Sequence, residues 1–191
     1  ATVLHNYGHA GDGWTLSWGS ADMQVQKAMS FSPKKVAVIG CGIIGLTTAL
    51  TAQRAGAEVT IYTREMLWRT RSMRANGVWG PSIGALASEA PANLADICEQ
   101  MCRTSLKTYR FYTGLAGNPI AWCDHYDLSD TPFDAPPPPP ARLPSGEPVP
   151  PTFRMPEGRL ADLSPKSEML ASNVNPWPVK YASRTSKMYF N

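Results

Sequence analysis

The sequence predicts an α/β protein whose parallel strand–helix–strand unit is joined to part of a second, β-rich region. Three observations predict it. The β-branched run at 36–39 (VAVI) leads at once into a glycine-rich turn and a helical stretch, and 58–62 (EVTIY) alternates as a second strand. A long helical period covers about 92–113. Beyond Pro119 the pattern shifts to short alternating segments interrupted by prolines.

The elements follow in order. Residues 1–19 read as a short strand and then a loop bearing glycine and histidine, and residues 20–30 (SADMQVQKAMS) as a short helix. After the turn at 40–45, residues 46–55 have helical composition, with Gly56 placed to close the helix in a left-handed conformation. Leu94, Ile97, Cys98, Met101, Ser105, Tyr109 and Tyr112 recur at helical spacing, and Gly114 and Gly117-Asn118-Pro119 stop that helix. Residues 120–128 (IAWCDHYDL) alternate as a strand with Ile120, Trp122, Tyr126 and Leu128 on one face. Residues 132–151 hold more than half of the chain's 18 prolines and form a polyproline-type excursion. A ligand for SH3 or WW domains is the sharper reading of it and a plain long loop the other. Residues 179–181 and 187–190 read as strand pieces.

Composition narrows the function. At 191 residues, 43% hydrophobic and 17% charged, the chain can bury a core. Its net charge of +3 comes from scattered Lys and Arg, with no basic block to engage nucleic acid. No apolar run approaches the ~18 residues of a membrane span. Residues 1–13 lack the basic and apolar regions of a signal peptide. The four cysteines (Cys41, Cys98, Cys102, Cys123) form neither a disulfide framework nor a zinc pattern and read as free thiols, so no metal is expected. A soluble protein follows, with the cytoplasm favoured and export of a precursor left open.

The motif Gly40-Cys41-Gly42-Ile43-Ile44-Gly45 between strand and helix has a mechanical purpose. Gly40 permits the tight turn, Gly42 lets backbone approach a pyrophosphate, and Gly45 lets helix and strand pack closely, with the helix N-terminus facing phosphate charge. With a strand before it and a helix and second strand after it, the motif points to a Rossmann-type dinucleotide fold. The ribose-binding carboxylate normally closes the second strand. Here that place holds Thr63, then Arg64, with Glu65 late, and a basic residue there raises NADP as an alternative.

Two further segments argue for a flavin. Residues 63–82 run TREMLWRTRSMRANGVWGPS, and residues 5–15 run HNYGHAGDGWT. Together with the glycine triplet they resemble the D-amino-acid oxidase family. The resemblance implies an FAD-binding fold in which Thr70, Arg71 and Ser72 hold the pyrophosphate, and Asn76, Gly77, Val78 and Trp79 pass behind the flavin. It implies that Ala10, Gly11, Asp12, Gly13, Trp14 and Thr15 lie against the isoalloxazine, with Thr63 and Arg64 at the adenosine end beside Gly40, Gly42, Ile43, Ile44 and Gly45. Backbone N–H groups aimed at the flavin edge would stabilise the reduced ring's negative charge. Ala10 stands where the family has glycine, and Trp14 where it has an aliphatic residue. The order also differs: in D-amino-acid oxidase the HNYGHGG-type loop follows the glycine triplet, whereas here it precedes it, as in a bacterial-type branch.

The domains implied are an FAD-binding region at 1–118 (flavin loop 1–20, strand–helix–strand 35–63, flavin-contact segment 69–82, helix 92–113) and part of a substrate-binding domain at 119–191. The activity implied is oxidation of an amino acid or amine, a D-amino acid first: hydride transfer to flavin N5, O2 reduced to H2O2, and the imine hydrolysed to oxo acid and ammonia. The family binds substrate carboxylate with an arginine and usually a tyrosine; Tyr181 and Arg184 are the candidates here. An NADP-dependent reductase and a non-catalytic flavin-fold subunit are the alternatives.

Plainer readings stand beside the sharp ones. His5 and His9 suit loop structure better than general-base work, since hydride transfer needs no protein base. Asp124, His125 and Asp127 cluster, but period two separates Asp124 from the other two, which are too few for a metal. Both ends of the chain look incomplete. A second polypeptide from the same precursor is therefore expected to complete sheet and pocket, with a homo-oligomer possible.

Overall fold

The computed structural model describes residues 2–81, 84–86, 91–136, 144–145 and 152–191. Most of the proline-rich stretch, with its SH3 or WW reading, lies outside them. The first element is helix α1 (Gly13–Met29), followed by strand β1 (Lys35–Ile39), helix α2 (Ile43–Arg54) and strand β2 (Glu58–Tyr62). β1 and β2 pair in parallel, Lys35 opposite Glu58 through Ile39 opposite Tyr62, with α2 as the crossover. Gly56, at φ +94°, ends α2 as the sequence predicts. Two 3-10 turns, Leu67–Arg69 and Ser72–Arg74, then lead to the short strands β3 (Val78–Trp79) and β4 (Gly84–Leu86).

Helix α1 corrects the sequence reading. A strand and loop were expected through residue 19, yet the helix begins at Gly13 and no strand precedes it among the described residues. Small residues explain the difference. A Cβ on Gly19 would sit 2.1 Å from the Met101 carbonyl oxygen, so α1 presses its backbone against the neighbouring helix α3 (Leu94–Arg110). The Gly19 amide donates to Ser105 Oγ at 2.9 Å. Ser17 and Ser20 hydroxyls donate back to carbonyls three residues earlier, which satisfies them inside the contact. A stripe of Ser, Gly and Ala carries little hydrophobic periodicity, so tertiary packing decides the element rather than local pattern.

The second sheet is built on β8 (Tyr181–Phe190). It pairs antiparallel along its full length with β5 (Ile120–Ser129), from Ile120 opposite Phe190 to Ser129 opposite Tyr181. Its other edge takes β3 at one end and β7 (Glu168–Met169) at the other, while β4 pairs with β6 (Thr152–Arg154). The sequence marked two strand pieces around a polar centre, and the continuous ladder joins them into one. Residue 179 lies outside it. The expected apolar face of β5 is buried only at Ile120; Trp122, Tyr126 and Leu128 are exposed, and Tyr126 packs on Trp177. His125 and Asp127 do share a face, their side chains 3.4 Å apart, and His125 Nδ1 meets Tyr189 Oη at 2.7 Å.

One apolar core joins α1, α3, β3, β5 and β8 through residues such as Trp18, Trp79, Cys102, Leu106 and Met188. At its rim an ion-pair clasp ties α3 to residues 159–162. Arg159 contacts Asp96 and meets Glu99 at 2.5 Å, and Arg103 bridges Glu99 at 2.8 Å and Asp162 at 2.7 Å.

Candidate cofactor site

The site is assembled at the N-terminus of α2. Gly40, at φ +110°, turns the chain out of β1 in a conformation that L side chains rarely adopt, and its N–H donates to the Tyr62 carbonyl at 2.8 Å. A Cβ on Gly45 would stand 2.2 Å from the Gly40 carbonyl oxygen, so the turn folds directly onto the helix. The first α2 amide, Ile43 N–H, donates to Ser72 Oγ at 2.9 Å. The next two amides, of Ile44 and Gly45, find no acceptor among the described residues. Ser72 Oγ accepts from Ile43, and its own O–H has no acceptor among them either. Three donors thus gather at the positive end of a helix dipole, beside the exposed Arg71. That is the donor set a pyrophosphate requires.

The N-terminal loop closes on the same spot. Asn6 Nδ2 donates to Thr48 Oγ1 at 3.0 Å, which lays the loop along α2. Gly8, Ala10 and Gly11 all have positive φ, and Ala10, at +48°, holds a left-handed conformation that residues other than glycine rarely adopt. A Cβ on Gly13 would stand 3.8 Å from the Ile43 side chain and 4.0 Å from that of Ile44. Trp14 donates its indole N–H to the Ser72 carbonyl at 3.3 Å and stacks on Phe190 with ring centres 4.5 Å apart. Thr15 is buried, and its hydroxyl both donates to the Gly80 carbonyl and accepts the Gly80 amide, at 3.0 and 3.2 Å. Burial lowers the pKa of His9 and so favours its neutral imidazole.

The predicted residues therefore fall into two groups. The triplet, Ser72 and residues 13–15 converge; Thr70 is bonded within its own turn, to the Leu67 carbonyl. Gly77, at φ +59°, is pressed against the Phe190 carbonyl, and Asn76 accepts from the Val78 amide. Trp79 lies in the core with its indole N–H lacking an acceptor among the described residues. Thr63 and Arg64 sit exposed beyond β2, Thr63 donating to the Glu65 carbonyl and Arg64 3.4 Å from the Glu65 carboxylate. Tyr181 and Arg184 lie toward the far end of β8. Arg184 is about 20 Å from Phe190 along a strand rising ~3.3 Å per residue, and it pairs with Glu168 at 3.2 Å. The residues that sequence reasoning missed are Asn6, Phe190 and Tyr109; Tyr109 donates its hydroxyl to the Trp14 carbonyl at 3.0 Å.

Comparison with known proteins agrees with this geometry. The model of the family described as FAD dependent oxidoreductase matches residues 35–131, about half of the chain. The chain belongs to that family. The match covers β1, the glycine turn, α2, β2, the Ser72 turn, α3 and β5, so FAD is the dinucleotide, and the donors at the α2 N-terminus fit its pyrophosphate. A D-amino-acid oxidase of Streptomyces coelicolor (strain ATCC BAA-471 / A3(2) / M145) is 47% identical over 47 residues. That stretch covers 25% of this oxidoreductase and 15% of the relative's own length. No solved structure matches the chain. Among the described residues, no helix is long and apolar enough to cross a membrane.

Proposed function

We propose that this oxidoreductase acts as an FAD-dependent oxidase of amino acids or amines, with a D-amino acid as the first substrate to test. The observation that carries the reading is the convergence of the loop at 5–15 with the free donors of α2. The chemistry FAD supplies when bound is two-electron oxidation of the C–H beside an amine nitrogen, with O2 as final acceptor, H2O2 as product, and an imine that water hydrolyses to oxo acid and ammonia. The chain's own residues bind and orient. The amides of Ile44 and Gly45 and the hydroxyl of Ser72 hold the pyrophosphate, with Arg71 as countercharge. The loop with positive φ at Gly8, Ala10 and Gly11 presents backbone rather than side chain to a flat ring. Arg64 serves the adenosine end of FAD, not a separate NADP. Residues 1–118 are the FAD-binding region in this reading and 119–191 contribute to the substrate side.

A second polypeptide belongs to the proposal. The β1–β2 pair is a two-stranded sheet among the described residues, and it leaves Ile39 81% and Tyr62 57% exposed. Parallel sheets are normally buried on both faces, so apolar strand ends left in water cost about 25 cal/mol per Å². A companion chain covering them is expected to complete sheet and pocket.

The test is spectroscopic and then catalytic. Purified protein should show a bound-flavin absorption spectrum and release H2O2 with D-amino acids when its companion chain is present. A folded, colourless protein that FAD cannot reconstitute, or turnover that depends on NADPH, would reject the reading.

A further inference from the structure

We infer that Trp14 sets the affinity for FAD without touching the pyrophosphate, by fixing Ser72 over the N-terminus of α2. The inference rests on FAD binding at that terminus, as proposed above. Trp14 is held on three sides. Its carbonyl accepts the Tyr109 hydroxyl at 3.0 Å, its ring stacks on Phe190 at an interplanar angle of 17°, and its indole N–H donates to the Ser72 carbonyl at 3.3 Å. Ser72 in turn has little room. A Cβ on Gly42 would already lie 3.0 Å from Ser72 Oγ, and that oxygen accepts the Ile43 amide at 2.9 Å.

The chain of contacts therefore runs from indole to Ser72 carbonyl, and from Ser72 hydroxyl to helix amide. Its consequence is directional. A serine hydroxyl has one proton to donate. With the oxygen anchored on Ile43 N–H, that proton is left to point at whatever acceptor sits before the helix. Within the 3-10 turn that Ser72 opens, the Ala75 N–H reaches the Ser72 carbonyl at 3.4 Å, a long bond that does not tie the turn to the rest of the fold. The indole does this and stacks as well, whereas phenylalanine and the aliphatic residues have no side-chain donor. Trp14 is thus a positioning residue that acts through Ser72.

The experiment uses the full chain, stripped of flavin, and compares wild type, W14F, S72A and the double variant. FAD and ADP affinities are read separately, and the unfolding midpoint of each apoprotein is recorded. W14F keeps a stacked ring and loses the donor, so FAD and ADP should both bind about fivefold more weakly, the size of one lost hydrogen bond. The apoprotein midpoint should fall by only a few degrees, the contribution of that one bond to the fold. On the S72A background W14F should add no further loss, because the two act in series. W14H, which retains a ring N–H, should lie between wild type and W14F, and it serves as the probe should W14F fail to fold. Additive losses in the double variant would overturn the inference. So would a loss for FAD with ADP unchanged, which would place Trp14 on the flavin ring instead. Wild-type protein that binds no FAD refutes the function proposed above; wild type that binds FAD no better than W14F refutes only the role of Trp14.

Discussion

Replacing Gly45 by alanine separates packing from binding at the glycine turn. The added methyl would lie 2.2 Å from the Gly40 carbonyl oxygen and 2.8 Å from its carbon, both backbone atoms that cannot rotate away. Ordinary contact is about 3.5 Å or more, so α2 and the turn must part by roughly 1 Å. Overpacking of this kind costs about 1–3 kcal/mol. Alanine returns up to about 1 kcal/mol through helix propensity, and the net loss should be near 1–2 kcal/mol. Gly42→Ala behaves differently. Gly42 has φ −80°, where alanine is unstrained, and its methyl would meet only Ser72 Oγ, 3.0 Å away. The hydroxyl can swing aside, which gives up one bond to Ile43 but removes a phosphate donor. Denaturant unfolding and FAD titration on both variants read the contrast: G45A should lower the unfolding midpoint markedly, and G42A should weaken FAD at least fivefold with a small midpoint change. G45A with wild-type stability would refute the claim that the turn and α2 are in backbone contact.

Two further outcomes are expected. The Arg159 and Arg103 guanidiniums hold the Glu99 carboxyl below its usual range, and Arg103 does the same for Asp162. A depressed folded-state pKa contributes stability above the unfolded value and loses it as pH falls through the folded one. Stability should therefore decline below about pH 4, and E99Q should flatten that decline; an unchanged acid limb in E99Q would show the clasp to be idle. Among the thiols, Cys123 is exposed, whereas burial pushes Cys102 up to about 12 and raises Cys98 as well. Mass spectrometry after brief alkylation at pH 8 should find Cys123 modified and Cys98 and Cys102 untouched until the protein unfolds. Early modification of Cys102 would contradict its place in the core.

The parallel unit was legible because each of its signals is local. A β-branched run, a glycine turn, a helix closed by Gly56 and an alternating strand each occupy a few consecutive residues, and they agree with one another. Helix α3 was legible for the same reason: its buried residues Cys98, Cys102, Ser105, Leu106 and Tyr109 keep helical spacing in the sequence. Helix α1 was not. Its buried face includes Ser17, Gly19, Ser20 and Ala21, residues that carry no hydrophobic signature and matter for the space they leave. Strand β8 was hidden in its centre, where Arg184, Thr185 and Ser186 read as polar although a full-length partner pairs them.

The site shows the same division more sharply. A glycine whose φ is positive declares itself by type, so Gly40 could be assigned a turn before any coordinates. The donors at the α2 N-terminus follow from helix geometry alone. What no local pattern carries is the contact that spans long sequence separation: Asn6 with Thr48, Thr15 with Gly80, Trp14 with both Ser72 and Phe190. These contacts decide which donors remain free. Thr15 illustrates the point, since its hydroxyl suited a flavin contact by type, yet here it accepts from and donates to Gly80. Ser72 is the converse, one serine among several polar residues of its turn until the Ile43 amide and the Trp14 indole fix its hydroxyl oxygen and carbonyl. Residue type determines what a group can donate, and the long-range contacts determine what it has left to give.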